Sequence, residues 1–427
     1  MKQHTIIIGG GIAGLTAANY IARAGQSVTV LEKAKKLGGR AQTQEKEQFK
    51  FNLGPHALYD NGHGTQILQE LNVPYSGGSP EVAGYMQYQN RLHTLPADPK
   101  AILSTTLLSK RDKLGVMGLM MALTKTKPES VAHLSVSEWL AQKTKSATLQ
   151  KLMHTFALLA TYTNAPDKLS AAVFLQQFQL SLESGVLYLD NGWQTLVDGL
   201  RTKALATGAT IQTESKVTAV TEDEYSATVH LADGSTLSGT AVIIATDPQT
   251  ASDLLPHNQQ LKRYAETAVP ARAAILDVAL SQLPKPENRF ALGMDAPLYY
   301  SLHSAVANLG PQNGAVVHLA KYLPEQQTDA EQDKAEMENL MDQLQPGWRD
   351  YVVAQRFLPN MTVINRIATA AEGGYVGRPS YVVPHARHLY LAGDWVGPDG
   401  WLVDASFISG KATAELTLVE QRVEIVA

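Results

Sequence analysis

Apolar residues recur along this chain in two rhythms, one of strands and one of helices. Residues 5–8 (TIII) are a short β-branched run, the texture of a strand buried on both faces. A glycine turn and a helix come next; Gly25 fits the helix end, and residues 27–31 (SVTVL) form the next strand. Strand texture returns over residues 209–219, ending near Val217, and over 241–245, 273–280, 315–323 and 388–394. Residues 86–95 alternate about Asn90-Arg91 as a hairpin does, and 222–238 form another with Asp233-Gly234 at the turn. The helical rhythm dominates residues 101–184, with a capping box at Ser135 and Glu138. It also marks residues 61–71 and 328–344. In the latter, Thr328 and Glu331 read as the box, and Met337, Leu340, Met341 and Leu344 share a face.

The chemistry begins where the first strand meets its helix. Gly9, Gly11 and Gly14 spell GxGxxG there. The first permits a tight turn, the second lets a pyrophosphate approach the backbone, and the third lets helix and strand pack closely. Free amides and the positive dipole end at that helix start suit phosphate. Glu32 ends the second strand, where a carboxylate accepts hydrogen bonds from an adenosine ribose. An acid there disfavours a 2′-phosphate, which argues against NADP. No second strand-anchored GxGxxG occurs, so a separate pyridine-nucleotide unit is not expected.

The segment after Glu32 narrows the dinucleotide. Lys36-Leu37-Gly38-Gly39-Arg40-Ala41-Gln42-Thr43 resembles the RxGGRxxT/S signature of the FAD-dependent superfamily of amine oxidases, protoporphyrinogen oxidases and carotenoid desaturases. Lys36 replaces the first arginine. Residues 388–394 (HLYLAGD) and 400–414 (GWLVDASFISGKATA) resemble the superfamily's C-terminal strand and helix. The resemblance implies an α/β (α+β) fold, a Rossmann-like FAD-binding domain with an interleaved substrate domain of mixed sheet and helices. The FAD domain would comprise 1–82, 186–260 and 362–427, and the substrate domain 83–185 and 261–361. It further implies that Gly39 and Arg40 pass the cofactor's phosphates or flavin edge. Gly54 would turn beside the flavin, Val217 would pair its backbone with the adenine, and Gly393 with Asp394 would meet the ribityl or pyrophosphate. The amides of Leu402 and Val403 would face the flavin pyrimidine, where a helix dipole stabilises developing negative charge. His56 comes after the Gly54-Pro55 turn, either as proton relay or substrate contact beside the isoalloxazine, or as a loop histidine satisfying backbone groups. Asn52 stands where many relatives carry an acid.

The same resemblance frames the reaction as hydride removal from a C–C or C–N bond onto FAD. Trp401 is one expected aromatic wall. The second-wall position falls on Val376, with Tyr375 one residue earlier. No lysine occurs over residues 273–280, where amine oxidases place one beside the flavin; Arg272 is the nearest cation. These features and the C-terminal block favour a desaturase or dehydrogenase acting on a small apolar substrate, with oxygen or a quinone as electron acceptor. An amine or protoporphyrinogen-type oxidase using oxygen is the alternative, and a redox-neutral flavin isomerase the second.

Composition trims this picture. The 427 residues carry a net charge of −4 and no dense basic run, which argues against a nucleic-acid partner. With no cysteine, disulfides, thiolate metal sites and cysteinyl attachment of a flavin are excluded, so FAD is expected to be non-covalent and no metal site is nominated. The apolar stretch 6–18 is explained by the glycine fingerprint rather than by a cleaved leader. No window holds the roughly 18 apolar residues of a membrane span, so a cytoplasmic protein is expected. Residues 114–123 (LGVMGLMMAL), preceded by Lys110, Arg111 and Lys113, read as a core helix whose methionines fill an irregular cavity. A membrane-dipping element, giving peripheral membrane contact, is the alternative.

Overall fold

The His4–Ile8 strand is the axis of the fold. It pairs in parallel with Ser27–Leu31 on one side and Ala241–Ile244 on the other, and Thr210–Gln212 and Leu389–Leu391 complete a five-stranded parallel sheet. Ile6 and Ile8 enter one core with Val229, Val242 and Trp395, while Ile7 enters another with Ala17, Ile21 and Ile243. Burial on both faces is why the run is apolar at every position rather than at alternate ones. Helices Ile12–Arg23, Gln194–Ala206 and Leu402–Val426 pack on the second face. A three-stranded antiparallel sheet, Val217–Glu222, Ala227–Leu231 and Thr236–Gly239, packs on the first. The computed structural model describes residues 3–81 and 83–426, with side chains through residue 419, so the expected division after residue 82 falls on a residue outside those described.

The second sheet has seven strands, in the order Val352–Ile364, Ala271–Leu280, Ala315–Leu323, Leu298–Leu302, Phe290–Gly293, Tyr85–Tyr88 and Arg91–Thr94. Its pairings are antiparallel except for Phe290–Gly293 with Tyr85–Tyr88. One face, through Leu276, Val278, Val317 and Leu319, packs on the Ala330–Leu344 helix. The other, through Ala273, Ile275, Tyr299 and Tyr322, faces a group of helices drawn from residues 99–184 and also touches Trp401.

Four local expectations need correction. The strand expected over 209–219 is two strands. Glu214 turns the chain with φ +57°, and Ser215 N–H donates to the Glu32 carbonyl at 2.9 Å, so Val217 opens a strand of the small sheet instead of ending one. The 86–95 hairpin turns on Gln89 and Asn90, both at positive φ, one residue before the expected pair. The helix near 328 is capped by Asp329, whose carboxylate accepts from the Glu331 and Gln332 amides, because Thr328 Oγ1 instead donates to Asp333. The Lys110–Lys125 helix is not wholly core. Val116, Leu119 and Leu123 are buried, but Leu114, Met117 and Met121 lie on the opposite face and are 74%, 67% and 58% exposed.

The tightest backbone approach is at the first glycine turn. A Cβ on Gly14 would lie 2.0 Å from the Gly9 carbonyl oxygen, a backbone atom that cannot swing aside. Gly25, by contrast, sits at φ +80° with open space around it. Gly14→Ala is expected to cost about 3 kcal/mol, the upper part of the overpacking range, and Gly25→Ala about 1 kcal/mol for its left-handed backbone. Parallel urea melts measure both, and equal losses would refute the steric argument.

Candidate functional site

Gly9 succeeds the axial strand at φ +111°, and Gly11 caps the Ile12–Arg23 helix with no side chain in the way. A Cβ on Gly11 would meet nothing within 4 Å, so space lies open above the helix start. Glu32 stands across this corner. Its carboxylate accepts from the Gly10 amide and the Ala34 amide, each at 2.8 Å, which fixes its direction and leaves further lone pairs on both oxygens.

The next group joins distant parts of the chain. Arg40 donates to both carboxylate oxygens of Asp394 at 2.9 and 2.7 Å and to the Val363 carbonyl at 2.6 Å. Asp394 also accepts from the Asn365 amide and side chain at 3.0 and 2.8 Å. Burial pushes the Asp394 carboxyl up, but the Arg40 charge and these donors outweigh it and hold it below the usual carboxylate range. Gly393 precedes it and exchanges hydrogen bonds with Ser409. Leu402 and Val403 open the Leu402–Val426 helix, whose first amides lack intrahelical acceptors. Asp404 in that turn accepts from the His63 and Gly64 amides, capping the neighbouring His63–Glu70 helix.

His56 donates from Nδ1 to the Gly54 carbonyl at 2.9 Å, which leaves the lone pair on Nε2, and its ring lies 4.9 Å from Trp193. Behind it lies a buried cluster that sequence reasoning misses. His318 Nδ1 donates to Asp277 at 2.5 Å, and Asp277 also accepts from Arg356 Nε at 3.0 Å. The His318 ring packs edge-on against His303 at 4.4 Å, and His303 stacks on Tyr188 at 3.7 Å. Polar residues flanked by apolar neighbours in buried strands, Asp277 in ARAAILDVAL and His318 in AVVHLAKYL, were the available signal.

The aromatic wall also differs from expectation. Val376 is 79% exposed, and Tyr375 faces Trp401, with ring centroids 6.2 Å apart at 70°. The backbone turns at Gly373 and Gly374, both at positive φ, which carry Tyr375 inward and Val376 outward. Trp401 is buried and donates to the Thr161 carbonyl at 3.0 Å. Arg378 lies against both rings, 4.7 Å from the Tyr375 centroid and 5.1 Å from the Trp401 centroid.

The family model for flavin-containing amine oxidoreductases matches residues 12–276, over half of the chain. The chain belongs to that family. Among curated relatives, a coproporphyrinogen III oxidase of Bacillus subtilis is 24% identical, over 63% of this chain and 65% of its own. A probable flavin-containing monoamine oxidase A of Dictyostelium discoideum is 23% identical, over 58% of each. A carotenoid 3,4-desaturase of Haloarcula japonica is 49% identical, but over only 12% of this chain and 11% of that one. The chain thus spans about a tenth of the length of the first curated relatives it matches, and under two thirds of the longer-matching ones. In fold, an oxidoreductase from Methanosarcina mazei superposes with a TM-score of 0.77 at 17% identity, covering 96% of this chain and 100% of the other. Cyclohexylamine oxidase from Brevibacterium oxydans gives 0.74 at 15% identity, covering 99% and 100%.

The residues of this flavin-family chain fit FAD at the corner where the structure is most constrained. The space above Gly11 is open, Glu32 is aimed across it, and Arg40 keeps 36% of its side chain exposed although both its Nη atoms are engaged. Ile275 shares an apolar cluster with Trp401 and packs against Gly54, two residues before His56.

Burial lowers His56 from its usual range to about 4, against about 6.5 in the unfolded chain. The unfolded state therefore takes up the proton first as pH falls. The stability that a neutral His56 allows is complete above about pH 6.5 and is lost progressively down to pH 4. His56→Asn is expected to make that acid-side decline shallower, by up to about 1.4 kcal/mol per pH unit, in urea melts at half-unit steps. An unchanged slope would show that His56 titrates normally.

Proposed function

We propose that this chain is a desaturase-type FAD dehydrogenase, removing a hydride from a C–C bond of a small, largely apolar substrate. Gly9, Gly11, Gly14 and Glu32 hold the adenosine diphosphate end of FAD, with the Val217 backbone near the adenine. Gly39, Arg40, Gly54, Gly393, Asp394 and the Leu402 and Val403 amides hold the rest. When bound, FAD supplies the hydride acceptor. Trp401 and Tyr375 wall the substrate. A desaturation also releases a proton, and His56, neutral with its lone pair on Nε2, is the base nearest the Gly54 turn.

One observation carries this reading over oxidation of an amine. The aromatic pair that would receive an ammonium already has the Arg378 guanidinium against both faces, and like charges repel. The facing sheet supports it: Ala273, Ile275, Ala320 and Tyr322 line the inner face, and Lys321 points the other way, paired with Asp333 and Glu336 at 2.7 Å each. Arg272 is engaged by the Glu325 carbonyl at 3.0 Å.

Photoreduced holoenzyme, mixed with oxygenated buffer, is expected to reoxidise no faster than free reduced flavin and to pass electrons to a quinone. Polyene substrates in detergent should bleach the flavin absorbance, and alkyl amines should not. Rapid reoxidation with bleaching by amines would establish the oxidase reading, and turnover without any bleaching the isomerase.

The Lys110–Lys125 helix supports contact with an anionic lipid surface. Leu114, Met117 and Met121 form one exposed stripe with Lys110 and Lys125 at its ends and Arg111 beside it. The opposite face of the same helix, through Val116, Leu119 and Leu123, belongs to the apolar cluster that also holds Trp401. Among the described residues no helix is long and apolar enough to cross a membrane. Co-sedimentation with phosphatidylserine vesicles should be lost in the L114E/M117E/M121E variant, with Tm unchanged. Retained sedimentation would place the contact elsewhere.

A further inference from the structure

Among the described residues, arginines that reach into the interior commonly have carboxylate partners. Arg40 pairs with Asp394, Arg356 with Asp277, and Arg366 with Glu372. Arg378 has none, although it is 94% buried, as its 6% exposure shows. Its Nη1 donates to the Gly400 carbonyl at 2.9 Å and lies 3.5 Å from the Asp399 carbonyl. Its Nε and Nη2 are buried with no hydrogen-bond partner.

These two nitrogens are the informative ones. In a guanidinium, Nε–H and one N–H of Nη2 point the same way along one edge, the fork that grips both oxygens of a carboxylate. The other donor, Nη1, is used by the backbone, and the stacking rings of Tyr375 and Trp401 hold the plane in place. The fork is therefore oriented, dry and vacant of protein acceptors. A buried cation without a counter-charge is costly, and proteins keep one where an anion arrives from outside. Burial accordingly lowers the Arg378 pKa.

We propose that Arg378 recognises a carboxylate on the substrate, the Nε/Nη2 edge gripping it while the apolar body of the molecule packs on Tyr375 and Trp401. The inference rests on the reading of that aromatic pair as the substrate wall. It narrows the substrate to an apolar acid. The same fork could in principle serve a second anion, the reduced flavin ring itself, and the test separates the two.

The probe is trans-cinnamate, titrated into the holoenzyme by calorimetry and by the flavin spectrum, with cinnamamide as its neutral counterpart. Cinnamate is expected to bind at least about tenfold more tightly than the amide, the worth of a charge-assisted pair. Arg378→Met should abolish the preference, and Arg378→Lys should keep only part of it, since charge survives but the fork does not. FAD content and flavin midpoint potential should stay as in the wild type. With an unpaired charge removed, the Tm of Arg378→Met should hold or rise. Equal binding of acid and amide by the wild type would overturn the proposal, as would a preference that persists in Arg378→Met. A midpoint potential that falls in Arg378→Met would assign the guanidinium to the flavin instead. A lower Tm with no acid preference in the wild type would make it a structural brace. None of these readouts requires turnover, so they stand apart from the failure of the desaturase reading, which shows as absent substrate-driven bleaching.

Discussion

One carboxylate carries the constraint on which the rest of the site depends. Asp394 is 98% buried and accepts four hydrogen bonds, two from Arg40 and two from Asn365. A charge in that position is tolerable only when fully partnered, and removing either partner leaves an uncompensated ion in a dry place. The partners come from different regions. Arg40 lies just beyond the second strand of the parallel sheet, Asn365 just beyond the long Val352–Ile364 strand of the mixed sheet, and Asp394 just beyond the last parallel strand. Arg40 further donates to the Val363 carbonyl, so a single guanidinium fixes how the two sheets approach. Their relative placement is thus held by electrostatics as well as by apolar packing.

The inner face of the mixed sheet is divided along its strands. Toward one end it presents Ala273, Ile275, Ala320 and Tyr322, toward the other Asp277, His318 and Arg356. Register makes this so. Asp277 lies opposite His318 on one side and Arg356 on the other, so a single polar position in each of three strands gathers into one satisfied cluster. Had any strand slipped by one residue, its polar side chain would have turned into the apolar layer against the Ala330–Leu344 helix. The cluster thereby specifies register while leaving the other half of the face dry.

The first glycine turn, the axial strand and its neighbours were legible in the sequence because their chemistry is local. GxGxxG, Glu32 and the Gly38-Gly39-Arg40 run each state a backbone requirement within a few residues. The C-terminal Gly393-Asp394 pair was equally readable, but its partner was not: nothing near residue 394 names Arg40, 354 positions away. Tyr375 and Val376 show the same limit at shorter range. Which of two adjacent side chains faces Trp401 depends on two consecutive positive-φ glycines, Gly373 and Gly374, whose turn reverses the alternation a strand would give. The helix over 110–125 failed differently. Its apolar residues cover both faces, so periodicity could not separate the buried stripe of Val116, Leu119 and Leu123 from the exposed one.

Arg378 was invisible for a further reason, and the reason bears on function. Sequence logic expects each buried charge to come with a partner, and for Arg40, Arg356 and Arg366 the fold supplies one. A binding residue inverts that logic, since its partner belongs to another molecule and leaves no trace in the chain. The desolvated aromatic wall sharpens the effect, because the attraction between opposite charges grows as water is excluded. The same exclusion serves hydride transfer, which needs no strong base but does need a dry and rigid surface against which a carbon can be held. Dryness, an aromatic plane and one oriented cation are thus a single device. In the proposed function it anchors one end of the substrate so that a carbon farther along it is presented to the flavin.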